Sequence, residues 1–262
     1  MLILLTNDDG INAGGLKAVV DRVVKVEGAR IVVVAPDRER SATGHAISIY
    51  RPVEVTEIYS DEKITMFAAG GTPADCVKLA VEGLLKETPD LIISGINRGP
   101  NLGIDVFYSG TVSAALEGAL MGIKSIAVSA GSYGDSNYKA AADFAVGFGL
   151  RMLKNEHYPS LVNINVPAVS KESIEGVAIT RLGIHTYVGN AFKRRIDPKG
   201  RWWFWLGGSG VERDKIDDTD FSAMKRNLIS VTPLCTDLTD YQGIRHLSLS
   251  KNQYSVIEEW ES

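Results

Sequence analysis

Two adjacent aspartates, Asp8 and Asp9, follow the first apolar run of the chain, residues 2–5. Four apolar residues in a row are typical of a strand that is buried on both faces of a parallel sheet. Open α/β sheets bind ligands just beyond the carboxyl ends of their strands, so both carboxylates are expected at a ligand-binding edge. Carboxylates held close together repel each other unless a proton or a cation lies between them. The pair therefore predicts a site for a hard divalent cation.

Two further loops follow predicted buried strands and carry oxygen donors. One spans residues 36–45 and includes Ser41 and His45, and the other spans residues 94–111. A doubly wound sheet brings the ends of its parallel strands to one edge, so the three loops are expected to meet there. Carboxylate, hydroxyl and amide oxygens suit Mg²⁺, Mn²⁺ or Ca²⁺, whereas zinc sites are built mainly from Cys and clustered His.

The residues Ser109, Gly110 and Thr111 begin a predicted helix. Backbone N–H groups at a helix start, together with the positive end of the helix dipole, form an anion site. An anion site beside a metal site indicates phosphoryl chemistry. Taken singly, a Ser or Thr at a helix start is more often only a cap, so the interpretation depends on the two features occurring together.

The elements that must position these loops alternate between strand and helix through residue 166. The predicted strands are residues 2–5, 31–35, 64–68, 90–94, 125–129 and 161–166, and the predicted helices are 14–26, 72–85, 111–121 and 137–153. Thr72, Pro73 and Asp75 have the residue types of a helix N-cap and first turn. Residues 46–50 and 53–58 resemble an antiparallel excursion. The alternation predicts an α/β fold with a doubly wound, mostly parallel, Rossmann-like sheet.

After about residue 167 the pattern changes to strands without helices between them, at residues 177–181, 201–206 and 229–232. We therefore predict a catalytic domain at 1–167 and a β-rich extension at 168–262. Within the extension, alternating bulky residues at 202–205 are typical of a core or subunit-interface strand, and nucleobase stacking is the alternative. The basic residues 193–195 are interpreted as a solvated loop, with binding of polyphosphate as the alternative. The charged run at 212–220 is also interpreted as solvated.

Composition places the chain among ordinary globular enzymes, with 262 residues, 45% hydrophobic and 23% charged. A net charge of −4 disfavours nucleic-acid binding through bulk charge. The two cysteines have no metal-ligand spacing, and the apolar start lacks a basic leader, so a cytoplasmic protein is expected. No apolar run reaches the ~18 residues of a membrane span.

Five motifs, in order along the chain, resemble the stationary-phase survival protein SurE family of metal-dependent nucleotidases. They are Thr-Asn-Asp-Asp-Gly at 6–10, Ala-Pro-Asp-Arg-Glu-Arg-Ser-Ala-Thr-Gly-His at 35–45, Gly-Gly-Thr-Pro-Ala-Asp-Cys-Val at 70–77, Ser-Gly-Ile-Asn-Arg-Gly-Pro-Asn-Leu-Gly at 94–103 and Ser-Gly-Thr-Val-Ser-Ala-Ala at 109–115. The resemblance extends from residue 2 to about residue 166. The remaining third matches loosely, at residues 163–167 and 217–220.

The resemblance implies the site residues and the partners. One divalent metal ion per subunit, Mg²⁺ or Mn²⁺, is expected on Asp8, Asp9, Ser41 and Asn97. The substrate phosphate is expected on Asn101, Ser109, Gly110 and Thr111. The family's C-terminal region serves oligomer contacts, so a homodimer or homotetramer is expected, with no membrane and no stable nucleic-acid partner.

The expected reaction is hydrolysis of nucleoside 5′-monophosphates by a metal-activated water, with 3′ phosphates and polyphosphate as open alternatives. Asp8 or Asp9 would orient the water. His45 would protonate the leaving group, although a purely structural histidine is an equal alternative. An aspartyl-phosphate phosphatase of the haloacid-dehalogenase type is a competing hypothesis, but its Asp-x-Asp spacing is absent. A non-catalytic nucleotide-binding module is the other, and neither a Gly-x-Gly-x-x-Gly loop nor a Walker lysine supports it.

Overall fold

In the computed structural model, which describes residues 1–131, 138–188, 192–206, 209–212 and 217–249, nine strands form one sheet. They are β1 (Leu2–Thr6), β2 (Arg30–Pro36), β3 (Val55–Ser60), β4 (Ile64–Ala69), β5 (Leu91–Arg98), β6 (Lys124–Ala130), β7 (Leu161–Val166), β8 (Gly176–Ile179) and β13 (Leu228–Leu234). Their order across the sheet is β3-β4-β2-β1-β5-β6-β7-β13-β8. The six strands from β4 to β7 are parallel, so the expectation of a mostly parallel, Rossmann-like sheet is confirmed.

The helices cover both faces of this sheet. They are α1 (Gly14–Val23), α2 (Pro73–Leu79), α3 (Gly110–Leu120), α4 (Tyr138–Leu153), α5 (Asp220–Lys225) and α6 (Tyr241–Leu249), with a π-helical turn, Ala80–Leu84, continuing α2. Successive side chains of a strand point to opposite faces. In β1, Ile3 and Leu5 therefore pack with α1 and α4, while Leu2 and Leu4 pack with α2 and α3. All five residues of β1 are buried, as its apolar run predicts.

The local helix-start signal at Thr72 is confirmed. The Thr72 side chain accepts the Asp75 backbone N–H, and the Asp75 carboxylate accepts the Thr72 backbone N–H in return. This capping box satisfies two backbone donors at the start of α2. Pro73 occupies the first helical position, where the absence of an N–H costs nothing.

The sheet continues beyond residue 167. β13 pairs antiparallel with β7, and β8 pairs parallel with β13, so both extension strands lie in the main sheet. The predicted boundary at 167 therefore falls inside the nine-stranded sheet. The remaining strands form two antiparallel pairs, β10 (Phe192–Ile196) with β11 (Trp202–Leu206) and β9 (His185–Val188) with β12 (Ser209–Glu212).

Four local expectations differ from the structure. The basic residues 193–195 were predicted as a solvated loop, and although they are exposed they lie in strand β10. Residues 46–50 form no strand, although Val55–Ser60 does pair antiparallel with β4. The aromatic side chains at 202–205 are each more than half exposed, so they are not core residues of the described chain. In the charged run, residues 213–216 lie outside the described residues, but Asp220 is wholly buried rather than solvated. No helix in the described part of the chain is long and apolar enough to span a membrane.

Candidate metal and phosphate site

The turn after β1 presents the two aspartates differently. Asp8 is 4% exposed and Asp9 is half-buried. Asn7 closes the turn, because its side-chain amide donates to Gly10 O at 2.9 Å while its Oδ1 accepts Gly10 N–H at 3.2 Å. Gly10 has a φ of +99°, a region that favours glycine. A β-carbon there would lie 3.1 Å from the Arg38 backbone, so glycine also lets the neighbouring loop approach.

Each of the neighbouring loops reaches the aspartate pair by a hydrogen bond. The Arg40 backbone N–H donates to Asp8 O at 2.7 Å, which places the loop of Ser41 beside the turn. The Arg98 backbone N–H donates to Asp9 Oδ2 at 3.0 Å, which places the end of β5 there. The Thr111 hydroxyl donates to Asp8 Oδ1. The three loops therefore meet at the carboxyl edge of the sheet, as expected for a doubly wound sheet.

Burial and a nearby acidic side chain disfavour negative charge on each of the two carboxylates. Burial raises the pKa of Asp8 from 3.8 to about 6, the Thr111 hydroxyl opposes the rise, and the charge of Asp9 adds to it. Burial also raises the pKa of Asp9, although the Arg98 N–H and guanidinium lower it and Glu39 raises it further. Among the described residues, no Lys or Arg side chain forms an ion pair with either carboxylate. The pair is thus a concentration of negative charge that a cation would relieve.

The donors around the pair suit a hard cation. The described residues contain no group of three or more His, Cys, Asp and Glu side chains placed to hold a metal. Asn97 donates its side-chain amide to Gly99 O at 2.9 Å, and its Oδ1 makes no hydrogen bond among the described residues. The exposed Ser41 donates its hydroxyl to Glu39 Oε1 at 2.7 Å and keeps its oxygen lone pairs. Two carboxylates, an amide oxygen and a hydroxyl form the oxygen set that Mg²⁺ or Mn²⁺ prefers.

The start of α3 lies directly against Asp8. A β-carbon on Gly110 would lie 2.8 Å from Asp8 Cβ and 3.0 Å from Asp8 Oδ2, so only glycine permits this approach. Ser109 caps the helix by accepting the Val112 N–H at 3.1 Å, and Thr111 is held by Asp8. Of the predicted phosphate-binding hydroxyls, Thr111 is therefore committed to the carboxylate, while Ser109 still has its own O–H hydrogen to donate. The helix dipole is positive at this end, which favours an anion here.

Asn101 is held by hydrogen bonds to polar side chains of β6 and β7. Its N–H donates to Asn165 Oδ1 at 2.8 Å, its side-chain amide donates to Ser129 Oγ at 2.8 Å, and its carbonyl accepts from Asn163 at 2.9 Å and Asn165 at 3.1 Å. No role in the site was predicted for Ser129, Asn163 or Asn165, which are fully buried on β6 and β7. The sequence feature that could have indicated a role for Asn163 and Asn165 is their alternate spacing in an otherwise apolar strand. These contacts fix the loop after β5 and leave Asn101 with one amide hydrogen and its Oδ1.

His45 is held by a partner on α3. Its Nε2 lies 2.8 Å from Glu117 Oε2, and its neighbour Gly44 donates its N–H to Tyr108 O at 3.0 Å. Glu117 is seven residues beyond Gly110, which corresponds to about 10 Å along a helix. This contact favours the structural interpretation of His45 over the acid role, which stays a prediction.

Comparisons with known proteins agree with the motifs. The sequence model of the family described as Survival protein SurE matches residues 3–189. A protein of Carboxydothermus hydrogenoformans named 5′-nucleotidase SurE is 49% identical over 94% of this chain and 95% of its own length. A protein of the same name from Natranaerobius thermophilus is 45% identical over 100% of this chain and 99% of its own. The crystal structure of the SurE protein from Aquifex aeolicus superposes with a TM-score of 0.82 at 36% identity, covering 96% of this chain and 100% of that one.

Proposed function

Since this chain belongs to the Survival protein SurE family, and its curated relatives are named 5′-nucleotidases, we propose that it hydrolyses nucleoside 5′-monophosphates at the Asp8–Asp9 edge of the sheet. The observation that carries the assignment of the site is the aspartate pair, with Asp8 buried and Asp9 half-buried, to which no Lys or Arg side chain among the described residues forms an ion pair. It lies beside the start of α3, where glycine at position 110 allows Asp8 to approach the helix closely. A divalent cation held by this pair would stabilise the charge of a substrate phosphate bound at the helix start.

Asp8, Asp9, Ser41 and Asn97 would hold one divalent ion, Mg²⁺ or Mn²⁺, in each subunit. When bound, the metal supplies Lewis-acid polarisation of the phosphoryl group and of a water molecule. The N–H groups at the start of α3 and the Ser109 hydroxyl would orient the phosphate oxygens and stabilise their charge in the transition state. Asn101 supports that surface from the side of β6 and β7. Because burial favours protonation of Asp8, its negative charge needs both the Thr111 hydroxyl and the cation.

The adjacency of Asp8 and Asp9 and the burial of Asp8 oppose the aspartyl-phosphate alternative. Asp8 is 4% exposed and one of its oxygens accepts the Thr111 hydroxyl, so it is poorly placed to attack phosphorus. Trapping a covalent phosphate on Asp8 would nevertheless favour that alternative. Transfer of ¹⁸O from solvent water directly into phosphate, without labelling of the protein in a single turnover, supports direct attack by water.

The test of the proposed function is phosphate release from a panel of nucleotides by metal-stripped protein supplied with individual divalent cations. We expect turnover of nucleoside 5′-monophosphates with Mg²⁺ or Mn²⁺ and none in chelator. The panel includes 3′-monophosphates and polyphosphate, so that it also tests whether the protein hydrolyses these two alternative substrates. Asp9→Asn should abolish turnover with the fold intact, whereas Asp21→Asn, an exposed position on α1, should behave as wild type. Turnover by Asp9→Asn with saturating metal would refute the role of Asp9.

The exposed aromatic hairpin supports a homodimer or homotetramer. Trp202, Phe204, Phe192 and Ile196 are each more than half exposed, and the strand register places them on one face. Apolar area of this kind is typical of a surface that another chain covers. Sedimentation of wild type and of Trp202→Ser with Phe204→Ser tests this proposal, and an unchanged oligomer would remove the hairpin from the interface. The cytoplasmic location stays a prediction.

A further inference from the structure

Asp220 is a buried carboxylate outside the residues assigned to metal or phosphate. It is 0% exposed and is the first residue of α5. Its Oδ2 accepts the Gly103 N–H at 2.8 Å, while its Oδ1 accepts the N–H groups of Gly183 and Phe221, each at 2.9 Å. The contact with Gly103 joins positions 117 residues apart. One carboxylate thus connects the loop after β5 to the chain between β8 and β9.

These bonds are strong enough to fix the loop. A buried carboxylate is costly unless it is fully hydrogen-bonded, and bonds from an N–H to a charged oxygen are about twice as strong as neutral ones. Gly103 has a φ of +52°, so the chain turns at the bonded residue. Asn101, two residues earlier, is anchored separately by β6 and β7. The loop therefore has two independent anchors, one of which comes from the C-terminal third of the chain.

The loop that Asp220 holds at Gly103 continues to Ser109 and Gly110, the residues predicted to bind the phosphate. Gly103 begins a short 3₁₀ helix, Gly103–Phe107, and the Asp105 carbonyl in that helix accepts the Ser109 N–H at 3.0 Å. Ser109 caps α3, and Gly110 lies against Asp8. The same segment receives the Gly44 N–H on Tyr108 O, so it also supports the loop that carries Ser41.

Resting on the proposed nucleotidase function, we propose that Asp220 is a positioning residue for the substrate phosphate. Its carboxylate holds Gly103 so that the segment leading to Ser109 and Gly110 presents their donors to the phosphate. The bond to Gly183 makes this arrangement depend on the C-terminal extension. Asp8 and Asp9 follow β1, and their hydrogen bonds come from Arg40, Arg98 and Thr111 rather than from the residues that Asp220 holds, so metal binding should depend on Asp220 less than phosphate binding does.

Asp220→Asn is the direct test, because asparagine replaces one accepting oxygen with a donor that faces an N–H group. For adenosine 5′-monophosphate we expect KM to rise about tenfold, the effect of one lost charge-assisted hydrogen bond, and the inhibition constant of inorganic phosphate to rise equally. The Kd for Mn²⁺, measured by calorimetry without nucleotide, should stay within about twofold of wild type, since none of the backbone groups bonded to Asp220 is hydrogen-bonded to Asp8 or Asp9. A purely structural defect would weaken all three together.

Gly183→Ala perturbs the same carboxylate from the side remote from the loop. Its β-carbon would lie 3.1 Å from Asp220 Oδ1 and 2.7 Å from the Phe221 ring, so a raised KM is expected here too. This variant decides the question if Asp220→Asn does not fold. The matched control is Asp218→Asn, an exposed ion-pair partner of Arg181 at 3.0 Å, which should leave KM unchanged.

The two proposals fail in different ways. Absence of phosphate release by the wild-type protein refutes the nucleotidase function itself. If the wild type is active, an unchanged KM and phosphate inhibition constant in the folded Asp220→Asn or Gly183→Ala variant overturns the positioning role alone. A loss of Mn²⁺ affinity as large as the rise in KM would also overturn it.

Discussion

Asp8 should destabilise the metal-free protein at neutral pH, because its charge is buried beside Asp9 and forms no ion pair with a Lys or Arg side chain among the described residues. Burial raises its pKa from 3.8 to about 6, and a two-unit shift corresponds to about 3 kcal/mol. The folded state binds the proton of the Asp8 carboxyl more tightly than the unfolded state does, so losing this proton lowers the stability of the fold. Stability is therefore lost as the pH rises from about 4 to about 6, and the full cost is present above that range.

Asp8→Asn removes this charge and keeps an oxygen that can accept the Thr111 hydroxyl. In chelator at pH 7.5, we expect the variant to be more stable than wild type by up to about 3 kcal/mol, or about 5–10 °C in Tm. Below pH 4 the difference should disappear. With Mn²⁺ at about 1,000 times its Kd the order should reverse, since only the wild type gains about 4.1 kcal/mol from the ion, and the variant should be inactive.

Thermal and urea unfolding across pH 4–8 measure these differences, with Asp21→Asn as the control for the same chemical change at an exposed position. The control should lie within about 0.5 kcal/mol of wild type. A less stable Asp8→Asn protein in chelator at pH 7.5 would refute the reasoning. So would a difference that does not depend on pH.

Three further outcomes are expected. Gly110→Ala should reduce kcat/KM strongly, because its β-carbon would lie 2.8 Å from Asp8 Cβ. Its control is Gly147→Ala on α4, where a β-carbon would meet nothing within 4 Å; this variant should stabilise the fold by about 0.5–1 kcal/mol in urea unfolding. Burial raises the pKa of the Cys76 thiol, so a thiol reagent at pH 8 should titrate only the exposed Cys235 in native protein and both after denaturation. Saturating Mg²⁺ or Mn²⁺ at 100 times its Kd should stabilise the wild type by about 2.7 kcal/mol, and a Tm independent of metal would contradict the site.

Local patterns in the sequence were sufficient to predict the parallel sheet and to predict that the three loops meet at one edge of it. A continuous apolar run is diagnostic because a central parallel strand is buried on both faces, as β1 is. The capping box at Thr72 depends on residues three positions apart, so it too was predictable. Once strands alternate with helices, the strand ends must lie at one edge, and the loops of Asp8, Ser41 and Asn97 come together.

Contacts between distant positions were decided only by the tertiary structure. Burial of Asp220 in a charged run could not be predicted, because its partners Gly103 and Gly183 lie 117 and 37 positions away and use backbone N–H groups that carry no sequence signal. The pairing of β13 with β7, which joins the predicted extension to the main sheet, could not be predicted from local sequence either. Periodicity reports which face of an element is buried, whereas the partner on that face depends on how the whole chain folds.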